Sequence, residues 1–327
     1  MKLLVTGGSG FIGSNFISKC LTNSNKIKII NLDALLVGSN RKNLINIDNK
    51  RYQFFKGNIC NKTLISKLIK KVDCVVNFAA EPHVDRSIVN SKGFLNSNVL
   101  GVHTILEELR NNKNVKMIQI STDEVFGDIT KGSFSENSTL NPSNPYSATK
   151  AAAEMLVKSY VRTYDLDITI TRCVNNYGPR QFSEKLIPKT ILFALQGFSI
   201  PIHGNGLAKR QWIHVYDHCD AIFKIILKSK RSSIYNIPGN YESSNLDLVK
   251  KILKIMNKSE DLIDFVEDRP GHDFRYATDA TKIKDHTGWE SQTNFQDGLH
   301  QTILWYLNHF ETLRTNNNAR TRIGLST

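Results

Sequence analysis

The run TGGSGFIG, residues 6–13, constrains the fold more than any other part of the chain. It follows the apolar stretch KLLVTG (2–7) and opens a helix-like pattern, with Gly7, Gly10 and Gly13 at GxxGxxG spacing. Glycines at these offsets allow a tight strand-to-helix turn and let the backbone approach a pyrophosphate. They also let helix and strand pack closely, while the helix N-terminus faces the anion. A glycine pattern alone is weak. Here the next strand-like run, KIKIINLD (26–33), ends in Asp33, 20 residues after Gly13. A carboxylate at that point can accept from both ribose hydroxyls and repels a 2′-phosphate, which predicts NAD rather than NADP.

Further strand-like runs follow at YQFFKG (52–57), DCVVNFAA (73–80), VKMIQIST (115–122) and DITITR (167–172), with helix-like segments between them. That rhythm predicts an α/β fold, a Rossmann-type doubly wound parallel sheet covered on both faces. Beyond about residue 175 the alternation loosens into shorter elements with Gly/Pro punctuation, such as YGPRQF, IHGNG and DRPGH, and helices are expected near 184–197 and 245–257. The expected organisation is a cofactor domain over 1–175 that also carries the catalytic residues, and a smaller C-terminal substrate lobe over 176–312, some segments of which can return to the large domain. The polar tail 313–327 is expected to be disordered. Gly7, Gly8, Gly10 and Gly13 interrupt the first apolar run before a signal-peptide core or membrane span forms. The five cysteines show no metal-ligand spacing. A soluble, cytoplasmic protein with no metal site and no membrane partner is expected. The formal net charge of +13 suits a phosphate-rich partner. Its lysines, however, are scattered through helix-like stretches with no RNA-binding signature or aromatic platform, so an anionic nucleotide is expected and nucleic acid is not.

Two runs carry chemistry. In YSATK, Tyr146 and Lys150 stand at i, i+4, and Asn144 or Ser143 can cap a helix that has Pro145 in its first turn. A neighbouring ammonium and a positive nicotinamide ring would favour the phenolate, so that Tyr146 takes a proton from a hydroxyl as hydride leaves the same carbon. The second run, STDEVFGD (121–128), places Thr122, Asp123 and Glu124 directly after a buried strand, with Ser121 before them. Because desolvating charge is costly, adjacent carboxyls there are either a solvated turn or an acid/base site.

These residues resemble the extended short-chain dehydrogenase/reductase family. Within it, EPHVDRSI (81–88), STDEVFGD, NPYSATKAAAE (144–154), RCVNNYGPRQFSEKLIP (172–188) and DRPGHDFRYATD (268–279) are similar to its nucleotide-sugar 4,6-dehydratases, over about residues 1–310. The resemblance implies NAD-dependent removal of water from a nucleotide-linked hexose, with dTDP-glucose as the implied substrate. It assigns Tyr146, Lys150 and Thr122 to oxidation at C4, Glu124 to the base at C5 and Asp123 to the acid at O6. It assigns the cofactor to Gly7, Gly10, Phe11, Ile12, Gly13, Asp33, Asn58, Ile59, Ala79, Ala80, Tyr146 and Lys150. It assigns the nucleotide sugar to His83, Asn175, Lys185, Arg210, Asn245, Arg269 and His272. Arg172 reads as structural. A homodimer is implied, formed by helices around 94–111 and 147–163.

Several positions depart from the family pattern. Asn58 stands for an Asp that meets the adenine amino group, and an amide oxygen can still accept that bond. Pro82 stands for Ser, Phe126 for Tyr, and His203 and Gln211 for a Tyr and an Asp, changes expected to lie partly near the nucleotide base. A related epimerase or decarboxylase is the alternative within the family, although an epimerase needs no acid at O6. A non-catalytic NAD-binding regulator is the alternative outside it, and intact Thr122, Tyr146 and Lys150 argue against that.

Overall fold

The structure, a computed structural model, describes residues 1–45, 47 and 50–313. The expected disordered tail lies outside the described residues, apart from Leu313. Six strands form where the apolar runs predict them: β1 (Lys2–Thr6), β2 (Lys28–Asp33), β3 (Tyr52–Lys56), β4 (Cys74–Asn77), β5 (Lys116–Thr122) and β6 (Ile168–Cys173). Helices α1 (Phe11–Asn23) and α2 (Lys62–Ile69) intervene, followed by α3 (Val84–Val89). A run then enters as α4 (Lys92–Phe94), passes through a π-helical turn (Leu95–Leu100) and continues as α5 (Gly101–Arg110). The long helix α6 (Pro145–Tyr164) precedes β6.

Period-two alternation splits each strand between two cores. Leu3 and Val5 of β1 pack with Phe16 and Ile17 of α1 on one face. Leu4 packs with Ile65 and Leu68 of α2, Ile105 of α5 and Val157 of α6 on the other. Both faces of β4, β5 and β6 are buried, as in a doubly covered parallel sheet.

The C-terminal half contains β7 (Asn175–Tyr177), α7 (Leu186–Gln196), β8 (Ile200–His203), β9 (Lys209–His214), α8 (Val215–Lys228), β10 (Ile234–Ile237), β11 (Tyr241–Ser244), α9 (Asn245–Ile255), β12 (Ile263–Val266), α10 (Thr281–Thr287), α11 (Phe295–Asn308) and α12 (Phe310–Leu313). Not all of it stays in the second lobe. Strand β10 pairs in parallel with β6, Ile234 opposite Ile170, and completes a seven-stranded sheet of order β3-β2-β1-β4-β5-β6-β10. Ile222 and Ile225 of α8 and Ile283 of α10 share the core of α1. The remaining elements form a mixed sheet β11-β9-β7 and a parallel pair β12-β8, packed by α7, α9 and α11 around Tyr177, Trp212, Leu248 and Leu299. No helix among the described residues is long and apolar enough to cross a membrane.

Because every strand of the large sheet runs the same way, the segments after β1, β2, β4, β5 and β6 gather at one edge, where ligands bind in folds of this type. The second lobe closes over that edge.

Candidate active site

A cleft of about 440 Å³ runs along this edge, a volume suited to small-molecule binding. Every residue expected to hold the cofactor lines it. Gly7 has φ +67° and lies so close to β4 that a Cβ would sit 2.7 Å from the Ala79 nitrogen. A Cβ on Gly13 would sit 2.5 Å from the Gly7 oxygen, so helix and turn can approach only through glycine. Gly10 is different: a Cβ would come within 3.4 Å only of the Gly7 oxygen, at 3.3 Å, and the residue lines the cleft. This is the open cradle that a pyrophosphate needs. Buried Asp33 accepts from the backbone N–H groups of Ser9 (2.8 Å) and Leu35 (2.7 Å), which fixes its carboxylate and leaves each oxygen a further lone pair for a ribose hydroxyl. The Asn58 side-chain oxygen accepts from Cys60 N–H (2.8 Å) and keeps a second lone pair. The residues fit NAD.

Helix α6 brings Tyr146 and Lys150 into the same cleft. Its cap is Asn144, whose Oδ1 accepts from Ser147 N–H (3.0 Å) while Ser147 Oγ accepts from Asn144 N–H (3.3 Å), and Pro145 opens the helix. Both side chains are buried one turn apart. Lys150 donates to the Ile120 carbonyl at the end of β5 (2.6 Å), and burial lowers its ammonium to about 8. Tyr146 departs from the expected lowering. Burial and the negative charge of Glu124 raise its phenol well above the usual range, against a smaller opposing effect of the Thr122 hydroxyl. The strand carbonyl takes one of the three ammonium hydrogens of Lys150.

The three residues after Ser121 do not share one wall. Thr122 and Glu124 line the cleft with Tyr146, whereas Asp123 is 1% exposed and sits behind them. Residues Asp123–Phe126 form a 3₁₀ turn, in which successive side chains step by about 120°, so neighbours cannot all face one way. Thr122 Oγ1 donates to Asp123 Oδ1 (3.1 Å) and accepts from Glu124 N–H (3.3 Å). The other carboxyl oxygen of Asp123 has no protein partner. Burial, and next the Glu124 charge, push Asp123 up to about 8. It is therefore protonated at neutral pH.

The expected substrate residues His83, Asn175, Lys185, Arg210, Asn245, Arg269 and His272 line the far part of the cleft. Their cations are already engaged. Arg269 pairs with Asp85 (3.3 Å) and Lys185 donates to the Pro82 carbonyl (2.9 Å). Arg210 lies 4.4 Å above the Tyr276 ring and donates to the carbonyls of Lys209 (2.7 Å) and Asp273 (2.8 Å). His272 is 2.7 Å from Asp268, but burial and the Arg269 charge lower it to about 4, so the contact is a hydrogen bond from a neutral imidazole to a carboxylate, not an ion pair. Burial and Lys185 likewise hold His83 well below the ordinary histidine range. Sequence reasoning missed Asp85, Arg86 and Glu184, which also line the cleft. Arg86 donates to Glu184 (2.6 Å), and His83 Nε2 lies 3.3 Å from the other Glu184 oxygen. Their signal was their place inside EPHVDRSI and FSEKLIP.

Residues 4–302 match the family model described as GDP-mannose 4,6 dehydratase. The chain belongs to that family. Among known proteins it is similar to the low-salt glycan biosynthesis protein Agl12 of Haloferax volcanii, at 47% identity over 94% of this chain and 99% of that one. It is 42% identical to a dTDP-glucose 4,6-dehydratase of Streptomyces niveus, over 94% and 93% of the two chains. The dTDP-glucose 4,6-dehydratase of Bacillus anthracis, solved in complex with NAD, matches at a TM-score of 0.91 and 42% identity, covering 96% of this chain and 99% of that one.

Set against the dehydratase pattern, the departures fall into two groups. Pro82 and His203 line the cleft. Phe126 and Gln211 do not. Phe126 stacks on Phe134 (4.7 Å) beneath the Arg172 guanidinium (4.6 Å), and Gln211 Oε1 accepts from Thr278 N–H (3.0 Å). Both substitutions are absorbed by packing. Arg172 is structural, as its sequence setting suggests: it is fully buried and bridged to Glu154 at 2.7 Å.

Proposed function

We propose that the chain is a hydro-lyase that converts dTDP-glucose to dTDP-4-keto-6-deoxyglucose. The observation that carries this reading is the pair of adjacent carboxyls beside Tyr146, with Glu124 on the cleft wall and Asp123 buried and protonated behind it. Two carboxyls in different environments can divide into a base and an acid. Tyr146 takes the proton of the C4 hydroxyl, which Thr122 orients. Bound NAD supplies the hydride acceptor for C4 and later the donor for C6, and its positive ring is the charge that offsets burial at Tyr146. The resulting ketone acidifies the C5 proton, which Glu124 removes. The C6 hydroxyl takes up a proton and leaves as water; that proton comes from Asp123, which lies behind the wall and passes it through the Thr122 hydroxyl bonded to it, and Glu124 returns a proton to C5. Lys185, Arg210 and Arg269 serve the diphosphate, and Asn175, Asn245, His83 and His272 serve the sugar and ribose hydroxyls.

Residues 1–175 act as the NAD-binding and catalytic domain and 176–312 mainly as the nucleotide-sugar lobe, and the cytoplasm is the compartment that supplies both ligands. The working state is a homodimer. Leu95 and Leu100 in the π-helical turn and Met155 on α6, which packs against that turn, expose 49%, 53% and 47% of their surface, an apolar face that a second copy would cover. Incubating the purified protein with dTDP-glucose should give a product lighter by one water and carrying a 4-ketone. Unchanged sugar in the presence of added NAD contradicts the proposal, and a C4 epimer points to an epimerase.

A further inference from the structure

The segment that joins β7 to α7, residues 178–185, passes from the cofactor side of the cleft to its substrate side. Arg180 lies in this segment at φ +72°, a left-handed conformation that residues with a Cβ adopt only at a cost. Such strain persists where the surroundings hold it, and here the holding groups belong to one helix. Asn15 Nδ2 donates both to the Pro179 carbonyl (3.0 Å) and to the carbonyl of Phe11 (3.0 Å), the first residue of α1. Arg180 Nη1 donates to Ser14 O (3.1 Å) and Ser18 Oγ (3.0 Å), also on α1. Next, the Phe182 ring lies against Gly38, 3.8 Å from where a Cβ would be, and Gly38 belongs to the loop that follows Asp33. At its far end the segment carries Glu184, bound by Arg86, and Lys185, bound to the Pro82 carbonyl. One short stretch is thus fastened to the helix that begins at the glycine loop, while it carries a cation expected to meet the diphosphate.

We infer that Arg180 is a positioning residue that couples the two sites: by fixing residues 178–185 on the first turns of α1, it makes binding of NAD and of a nucleoside diphosphate mutually reinforcing. The inference rests on the proposed function, since it takes the glycine loop as the NAD site and Lys185 as a diphosphate ligand. Ordering of the α1 N-terminus by one ligand sets the register of the segment that presents Lys185 to the other. Linkage requires the effect to be reciprocal.

The test is calorimetric titration of the full-length, NAD-depleted protein with NAD, with and without saturating thymidine diphosphate, and then the reverse titration. The expected result is the same tightening in both directions, about fivefold or more. In Arg180→Ala that factor falls toward one, while the affinity for each ligand alone changes by less than the lost factor. Asn15→Ala, which removes a single fastening, gives a partial fall and decides the matter if Arg180→Ala does not fold. A merely structural role would weaken each ligand regardless of the other. A factor of one in the unmodified protein with both ligands bound, or an unchanged factor in both variants, overturns the inference and leaves the proposed substrate class standing. Failure of thymidine diphosphate to bind at all removes that substrate class, and the inference with it.

Discussion

On the cofactor wall the functional groups are backbone atoms and short side chains fixed within a few residues of a strand end, as at Gly7, Gly10 and Asp33. On the substrate wall they are long cations held by partners far along the chain; Arg269 and Asp85 are 184 residues apart. The first kind of wall recognises by shape, so its tolerance is set by space. The second recognises by exchange: an incoming diphosphate must offer Arg269 and Lys185 more than Asp85 and the Pro82 carbonyl already do. Burial alone would raise the Asp85 carboxyl, but it is held low, chiefly by the Arg269 charge, so a charged competitor is already in place. Between the two walls stands the reacting centre, which borrows rigidity from the first and charge from the second.

The sharpest break separates chemistry from binding. Tyr146→Phe should lower kcat by about 10²–10⁴-fold while leaving NAD and nucleotide affinities near their original values, as steady-state kinetics and titration would show. Gly13→Ala should break the shape-based wall alone. Its Cβ would lie 2.5 Å from the Gly7 oxygen, and overpacking of this kind costs about 1–3 kcal/mol, roughly ten- to a hundredfold in NAD affinity. Thymidine diphosphate binding measured without NAD should be weakened less.

Acidity comes next in size. Asp123 must be protonated to act as an acid and Lys150 must be charged, and both titrate at about 8. The kcat should therefore fall about tenfold per unit or more above that pH, as a pH–rate profile at saturating substrate will reveal. The exchange-based wall gives the smallest effects. Arg269→Ala should raise the KM for the nucleotide sugar by roughly tenfold, in line with loss of one charge-assisted contact. Asp85→Asn, which removes the resident competitor, should lower that KM by a few-fold. Equal increases in both variants would mean that the pair acts only as scaffold.

The same contrast explains what could be read in the sequence. Strands β1–β6 lie on their apolar runs, β4 stopping at Asn77 short of the end of its run, and the glycine loop, Asp33 and the capped start of α6 are local patterns with local physical causes. Pairings across long separations leave no such trace. Nothing in IYNI marks Ile234–Ile237 as the seventh strand of the large sheet, because its partner β6 lies some sixty residues earlier. The sequence shows Thr122, Asp123 and Glu124 in a row but not the 3₁₀ turn that sets Asp123 behind the other two. The bond of Lys150 to a strand carbonyl likewise depends on packing between α6 and β5. The packing of Phe126 on Phe134 and the bond of Gln211 to Thr278 are also set by tertiary neighbours and leave no mark in the sequence.

The central claim is that a base on the cleft wall, Glu124, and an acid behind it, Asp123, convert a sugar-oxidising site into a dehydrating one. Its most direct test is the position of deuterium in the product when dTDP-glucose is turned over in deuterated water by the unmodified protein and by Glu124→Gln. The account predicts a 4-keto-6-deoxy product with deuterium at C5 from the unmodified protein, and loss of both product and C5 exchange in the variant. A product without deuterium at C5, or unimpaired turnover and exchange by Glu124→Gln, would contradict it.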